Sequence, residues 1–131
     1  MKSQSDEFLR FCAVGALGFV VDTAVTLLMV GSQLATPLVS RVFAFLLAAS
    51  VTWRLNGIFT FQSRSGGLKN LSIYLSSTAL GGTINILTYL GWLKVFGSSQ
   101  WSILAGVACG SVVALVFNFS VSKYIVFAAK E

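Results

Sequence analysis

The sequence contains no histidine, a single proline and two cysteines, and only 10% of its 131 residues are charged. Without histidine, the commonest general base and the commonest metal-ligating imidazole are both missing. Cys12 and Cys109 stand singly inside apolar stretches with no metal-ligand spacing around them, so they read as small packing residues. No Ser–His–Asp set can be assembled, and no glycine-rich loop runs into Lys-Ser or Lys-Thr. Asp22 is the only acid inside an apolar stretch and has no second group to work against. Neither an enzyme, a metal site nor a cofactor is expected. A soluble domain carries roughly 25% charged residues, so water is not the main solvent of this chain. Its net charge of +5 could suit nucleic acid, but the basic residues are scattered and flank apolar runs. Anionic headgroups and membrane topology explain them better, and no nucleic-acid partner is expected.

What the chain has in abundance is apolar length: 56% of residues are hydrophobic, among them 11 Phe. A bilayer core needs about 20 apolar residues in helical form. Four stretches meet that need, at about residues 8–30, 38–55, 71–93 and 101–121. Residues 1–131 read as one membrane domain, all-α, of four transmembrane helices. The first stretch follows a short polar start and has no A-x-A-like cleavage site at its end, so it is expected to be retained. Pro37 suits the first turn of the second helix, where its missing N–H costs nothing. Residues 62–70 (QSRSGGLKN) form the clearest polar loop, and residues 97–100 (GSSQ) make a second short turn.

The second pair of spans re-uses the plan of the first. Residues 8–61 lie on residues 74–127 at a constant offset of 66, without a gap. Leu9/Leu75, Ala13/Ala79, Gly15/Gly81, Gly31/Gly97, Ser32/Ser98, Ala48/Ala114 and Phe61/Phe127 are shared. Unbroken register across two spans and a turn reads as a duplicated helical hairpin, a plan of small transporters. Of the nine Lys and Arg, only Arg41 and Lys94 fall on the side opposite the termini. The positive-inside rule therefore places both termini in the cytoplasm. The hairpins then share one topology and are not inverted. Small residues at fourfold spacing, Ala44-x-x-x-Ala48-x-x-x-Thr52 and Gly106-x-x-x-Gly110-x-x-x-Ala114, mark faces where helices approach closely.

Several polar residues interrupt this pattern. Asp22 lies somewhat beyond mid-membrane, where a carboxylate costs roughly 2.5–3.5 kcal/mol on insertion scales. Two readings stand: an orienting pair with Arg41, or a substrate or proton site. Arg10, Arg54 and Lys123 gather at the cytoplasmic ends, either snorkelling to headgroups or holding a phosphate. Asn56, Asn85 and Asn118 are amides in or beside apolar helices, suited to interhelical hydrogen bonds or to hydroxyl-rich cargo. The aromatics at the span ends, including Trp53, Phe59, Phe61, Tyr74, Trp101, Tyr124 and Phe127, read mostly as interfacial belts.

These residues resemble a known family. Arg10-Phe11-x-x-x-Gly15 followed by Asp22 is similar to the opening of GtrA-like membrane proteins. Thr52-Trp-Arg-Leu-Asn56-Gly-Ile-Phe-Thr-Phe61 resembles that family's Asn-Phe-Leu-Leu-Asn-Arg-x-Trp-Thr-Phe, with Thr52 in place of Asn and Gly57 in place of Arg. Asn118-Phe-Ser-Val-Ser-Lys-Tyr-Ile-Val-Phe127 resembles its closing Asn-Phe-x-x-Ser-Arg-x-Trp-Val-Phe. The resemblance implies a bacterial inner-membrane protein that flips polyprenyl-phosphate-linked sugars, here an undecaprenyl-phosphate hexose, for surface polysaccharide glycosylation. On this reading Arg10, Arg54 or Lys123 takes the phosphate on the inner side and Arg41 on the outer side. Asp22, Asn85 and Asn118 meet sugar hydroxyls. Expected partners are the bilayer, further copies of the chain in a dimer or tetramer, and membrane glycosyltransferases. Two other readings remain: a small multidrug-type proton-coupled exporter built on Asp22, and a non-transporting scaffold for a glycosyltransferase.

Overall fold

A computed structural model describes residues 3–63 and 67–128, apart from the side chains of Pro37, Leu38 and Arg41. It is helical with no strand among the described residues: α1 (Gln4–Gly31), α2 (Pro37–Leu55), α3 (Leu68–Phe96) and α4 (Gln100–Val121). Three of the four helix starts carry a side-chain cap. Ser3, Thr36 and Ser99 cap α1, α2 and α4 by accepting backbone N–H groups of Ser5, Val39 and Ser102. Asp6 and Glu7 add negative charge to the first turn of α1, where the helix dipole favours it. Gly97, at φ 78°, ends α3 in a conformation that other residues adopt at a cost.

The helices outrun the apolar stretches. The 28 residues of α1 span about 42 Å, against roughly 30 Å of hydrocarbon, so its polar first turn is helical outside the apolar run. Part of the expected loop at residues 62–70 is helix, because α3 begins at Leu68, and residues 64–66 lie outside the described residues. Three stretches, Gln4–Gly31, Val42–Thr60 and Gln100–Val126, are long and apolar enough to cross a membrane. α3 is the longest helix, at 29 residues, but Ser72, Ser76, Ser77, Thr78, Thr83, Asn85 and Thr88 dilute its apolar character. Much of that polarity is internally satisfied: Ser77 and Thr78 donate to the Tyr74 carbonyl and Thr83 to that of Ala79.

The interior of the bundle is built from small residues and the outside from large ones. Ser40, Ala44, Ala48, Thr52 and Asn56 are buried along α2 and its extension. Gly106, Gly110, Ala114 and Ser122 are buried at the positions 66 residues later, so both expected small-residue seams face inward. Phe19, Leu28 and Trp101 are at least 70% exposed. Apolar side chains turned outward gain nothing from one another in lipid, so close packing along the seams must hold the helices. A Cβ on Gly110 would stand 2.6 Å from the Asn85 carbonyl oxygen, and one on Gly106 3.0 Å from Trp92.

The duplication reaches a detail that composition does not announce. α2 and α4 each continue into one π-helical turn, at Asn56–Thr60 and Ser122–Val126, again 66 residues apart. Each turn closes on a phenylalanine: Phe61 N–H donates to Asn56 O at 2.9 Å and Phe127 N–H to Ser122 O at 2.8 Å. The two rings stack at 5.1 Å with planes 19° apart. This corrects the belt reading of three aromatics. Tyr74 and Phe127 are buried and Phe61 is half-buried, forming with Phe11 and Phe119 the aromatic junction between the hairpins. Phe59, Trp101 and Tyr124 are exposed, as a belt requires. α1 packs chiefly on α2 and α3 on α4.

Candidate functional site

Behind the aromatic junction lies a cavity of about 260 Å³ to which every helix contributes. Asp22 comes from α1, Thr52 and Asn56 from α2 and its π-turn, Tyr74 and Thr78 from α3, and Asn118 from α4. Phe11, Phe19, Phe45 and Leu115 make the apolar part of its wall.

The polar side of the cavity is a connected network. Asn56 Nδ2 donates to the Tyr74 hydroxyl at 3.1 Å, and that hydroxyl donates to Thr52 Oγ1 at 3.2 Å. Thr52 in turn donates to the Ala49 carbonyl at 3.0 Å, and Thr60 donates to Asn56 Oδ1 at 2.8 Å. The fourfold spacing of Thr52, Asn56 and Thr60 brings these groups onto one face. A saturated network in a low-dielectric setting is rigid, which keeps Tyr74 and Asn56 aimed at the cavity. Asn118 is different: among the described residues its Oδ1 is buried with no hydrogen-bond partner. That oxygen packs against Gly81 of α3, while the Asn118 residue itself also lines the cavity.

A slip between the hairpins makes the room. Thr52 and Asn118 occupy equivalent positions, and so do Gly15 and Gly81. In the second hairpin, Asn118 fills the space over Gly81 so fully that a Cβ there would collide with its amide. In the first, Thr52 stands over Gly18, one turn farther along, and Gly15 has nothing within 4 Å of where a Cβ would lie. Gly15 lines the cavity. The duplicated seam thus closes in one half and opens in the other.

The remaining expected site residues lie elsewhere. Asn85 donates to Ser111 Oγ at 3.3 Å, joining α3 to α4. Arg10 is exposed and donates to the Phe59 carbonyl oxygen at 3.1 Å, tying α1 to the first π-turn. Lys123 is held by Glu7 at 2.6 Å. Arg54 is exposed and makes no side-chain hydrogen bond among the described residues. The Arg41 side chain, and with it the expected Asp22–Arg41 pair, lies outside the described residues. Of the expected set, Asp22 and Asn118 therefore share the cavity, while Arg10, Arg54 and Lys123 do not line it, and Arg54 borders a separate small pocket with Trp53, Gly57 and Phe127. Sequence reasoning passed over Tyr74, Thr52, Thr78 and Glu7. Thr52 carried a signal, as the offset partner of Asn118 on a small-residue seam; Glu7 carried none beyond its charge. No His, Cys, Asp or Glu grouping among the described residues could hold a metal ion.

A family model for the GtrA/DPMS transmembrane domain matches residues 10–128. No curated protein sequence matches the chain.

Proposed function

The chain belongs to the GtrA/DPMS transmembrane-domain family, and on that premise we propose that it moves an undecaprenyl-phosphate-linked hexose, such as glucose, across the bacterial cytoplasmic membrane. The cargo is destined for glycosylation of surface polysaccharide. In this reading all four helices cross the bilayer and both termini face the cytoplasm, in keeping with the surplus of Lys and Arg on that side. Moving a headgroup breaks no covalent bond, so the protein needs groups that bind and release, not a nucleophile and a base. The polyprenyl tail stays in lipid, and only the phosphate and sugar need a polar route through the hydrocarbon. Arg10, Arg54 and Lys123 receive the phosphate at the inner end and Arg41 at the outer end, since guanidinium and ammonium groups suit phosphate oxygens. Asp22 and Asn118 take the sugar hydroxyls, with the Asn56–Tyr74–Thr52 network as the rigid wall beside them. Asn85 is left out of the route, because its amide is engaged between α3 and α4. Further copies of the chain and a glycosyltransferase that makes the cargo on the inner face complete the system.

The observation that carries this reading is the cavity, because it gathers polar groups from both hairpins deep in an otherwise apolar bundle. Purified protein in proteoliposomes tests it, with a labelled lipid-linked hexose and the variants Asp22→Asn, Arg41→Ala and Asn118→Ala. Each is expected to slow translocation by about tenfold, the equivalent of one lost interaction of about 1.4 kcal/mol. Wild-type rates in all three would remove the site assignment, and no transport by the purified chain would favour the scaffold reading.

A further inference from the structure

The terminal ends of the two hairpins are joined by an ion pair whose acid plays no part in the route described above. Lys123 Nζ lies 2.6 Å from Glu7 Oε2, with the two side chains only 18% and 21% exposed. The ammonium also sits over the rings of Phe119 and Tyr124, at 5.8 and 5.7 Å. Directly beside it, Phe8 meets Phe119 edge to face at 5.2 Å. Arg10 follows Glu7 by one helical turn, so it lies on the same side of α1. It gives one N–H to Phe59 O and is otherwise exposed, and a guanidinium has five donors. A carboxylate thus holds Lys123, one helical turn along α1 from a guanidinium with donors to spare.

Carboxylate and phosphate present the same kind of acceptor oxygens to such cations. Exposed apolar side chains at Leu9, Phe59 and Tyr124 flank the site, which suits an anion carried on a lipid better than a free one. We propose that Glu7 is a built-in stand-in for the cargo's phosphate: an entering lipid phosphodiester displaces the Glu7 carboxylate from Lys123 and takes Arg10 as its second contact. A phosphodiester bears one negative charge, as the carboxylate does, so the exchange leaves the charge beside Lys123 unchanged. It also releases the first turn of α1 from the second π-turn, beside the Phe8–Phe119 contact of the two hairpins. The inference rests on the reading of a lipid-linked phosphate as cargo and adds the step that admits it.

The test measures binding alone, by calorimetry on detergent-solubilised full-length protein with dodecyl methyl phosphate as probe. Glu7→Gln is expected to tighten binding by up to about fivefold, the range of a partly exposed ion pair. Lys123→Gln is expected to weaken it by about tenfold, with Lys123→Arg retaining it. In the Glu7→Gln/Lys123→Gln double variant the tightening should vanish. Asp6→Asn, at an exposed neighbour with no side-chain bond among the described residues, removes the same charge and should change binding by less than about twofold. The proposal is overturned if Glu7→Gln binds no tighter than wild type, if the tightening persists without Lys123, or if Asp6→Asn matches it. Inorganic phosphate should displace the probe only at far higher concentration; equal potency would overturn the lipid-borne ligand. Competition by Glu7 without transport in proteoliposomes would leave this exchange standing and remove translocation. Transport with no Glu7 effect on binding would do the reverse.

Discussion

Thr52 in the first hairpin and Asn118 in the second hold the same place in the duplicated plan, yet they meet different turns of the helix opposite. Thr52 stands over Gly18, whereas Asn118 stands over Gly81, whose own equivalent is Gly15. Around this difference the halves agree closely. Ser40, Ala44 and Ala48 correspond to Gly106, Gly110 and Ala114 on buried seams, and both hairpins end in a π-turn closed by phenylalanine. A repeated scaffold therefore need not repeat its function. One turn of slip between otherwise matching hairpins leaves Gly15 facing open space, and that space is the cavity.

The closed half is the more sensitive of the two to added bulk. Gly81→Leu forces the Asn118 amide out of its place between α3 and α4. Overpacking of this kind costs about 1–3 kcal/mol or more, to be read as a lower midpoint of thermal unfolding in detergent. Gly15→Ala, at the equivalent position in the open half, should stay within about 0.5 kcal/mol of wild type. Equal losses at the two glycines would mean that the halves are packed alike. A smaller effect is expected from writing the second hairpin's residue into the first. Asn56→Ser gives the first π-turn the residue found at Ser122 and removes the amide that bonds both Tyr74 and Thr60. That change should cost about 1–2 kcal/mol by the same measurement, and an unchanged midpoint would show the network to be dispensable.

Much of this architecture was legible beforehand. The apolar stretches marked the helices, and the offset of 66 marked the duplication, because both are properties of residue order alone. Asp22 and Asn118 stood out because polar groups in an apolar helix must have a use or a partner. Three features were hidden for physical reasons. A π-turn adds one residue to a single turn and leaves no trace in composition. Phe61, Tyr74 and Phe127 sit at span ends, where an aromatic reads the same whether it faces headgroups or a neighbouring helix; burial decided for the latter. Glu7 lies in the polar stretch before the first span, where an acid reads as solvated, and only the fold brings it to Lys123, 116 residues away. Asn85 was legible as suited to an interhelical hydrogen bond, which it makes to Ser111; the partner was not, since the register of two helices is not written in either one.

In the proposed mechanism the opened half of the duplicated seam is the route for the headgroup. Gly15 allows a direct test, because it lines the cavity and a side chain there meets no atom within 4 Å of its Cβ. Gly82 has equally open surroundings and does not line the cavity, so it serves as the matched control. The measurement is the translocation rate of a labelled lipid-linked hexose in proteoliposomes containing Gly15→Trp or Gly82→Trp, each checked for unaltered thermal stability. Gly15→Trp is expected to abolish transport while Gly82→Trp retains it. Transport at the wild-type rate through Gly15→Trp would contradict that route.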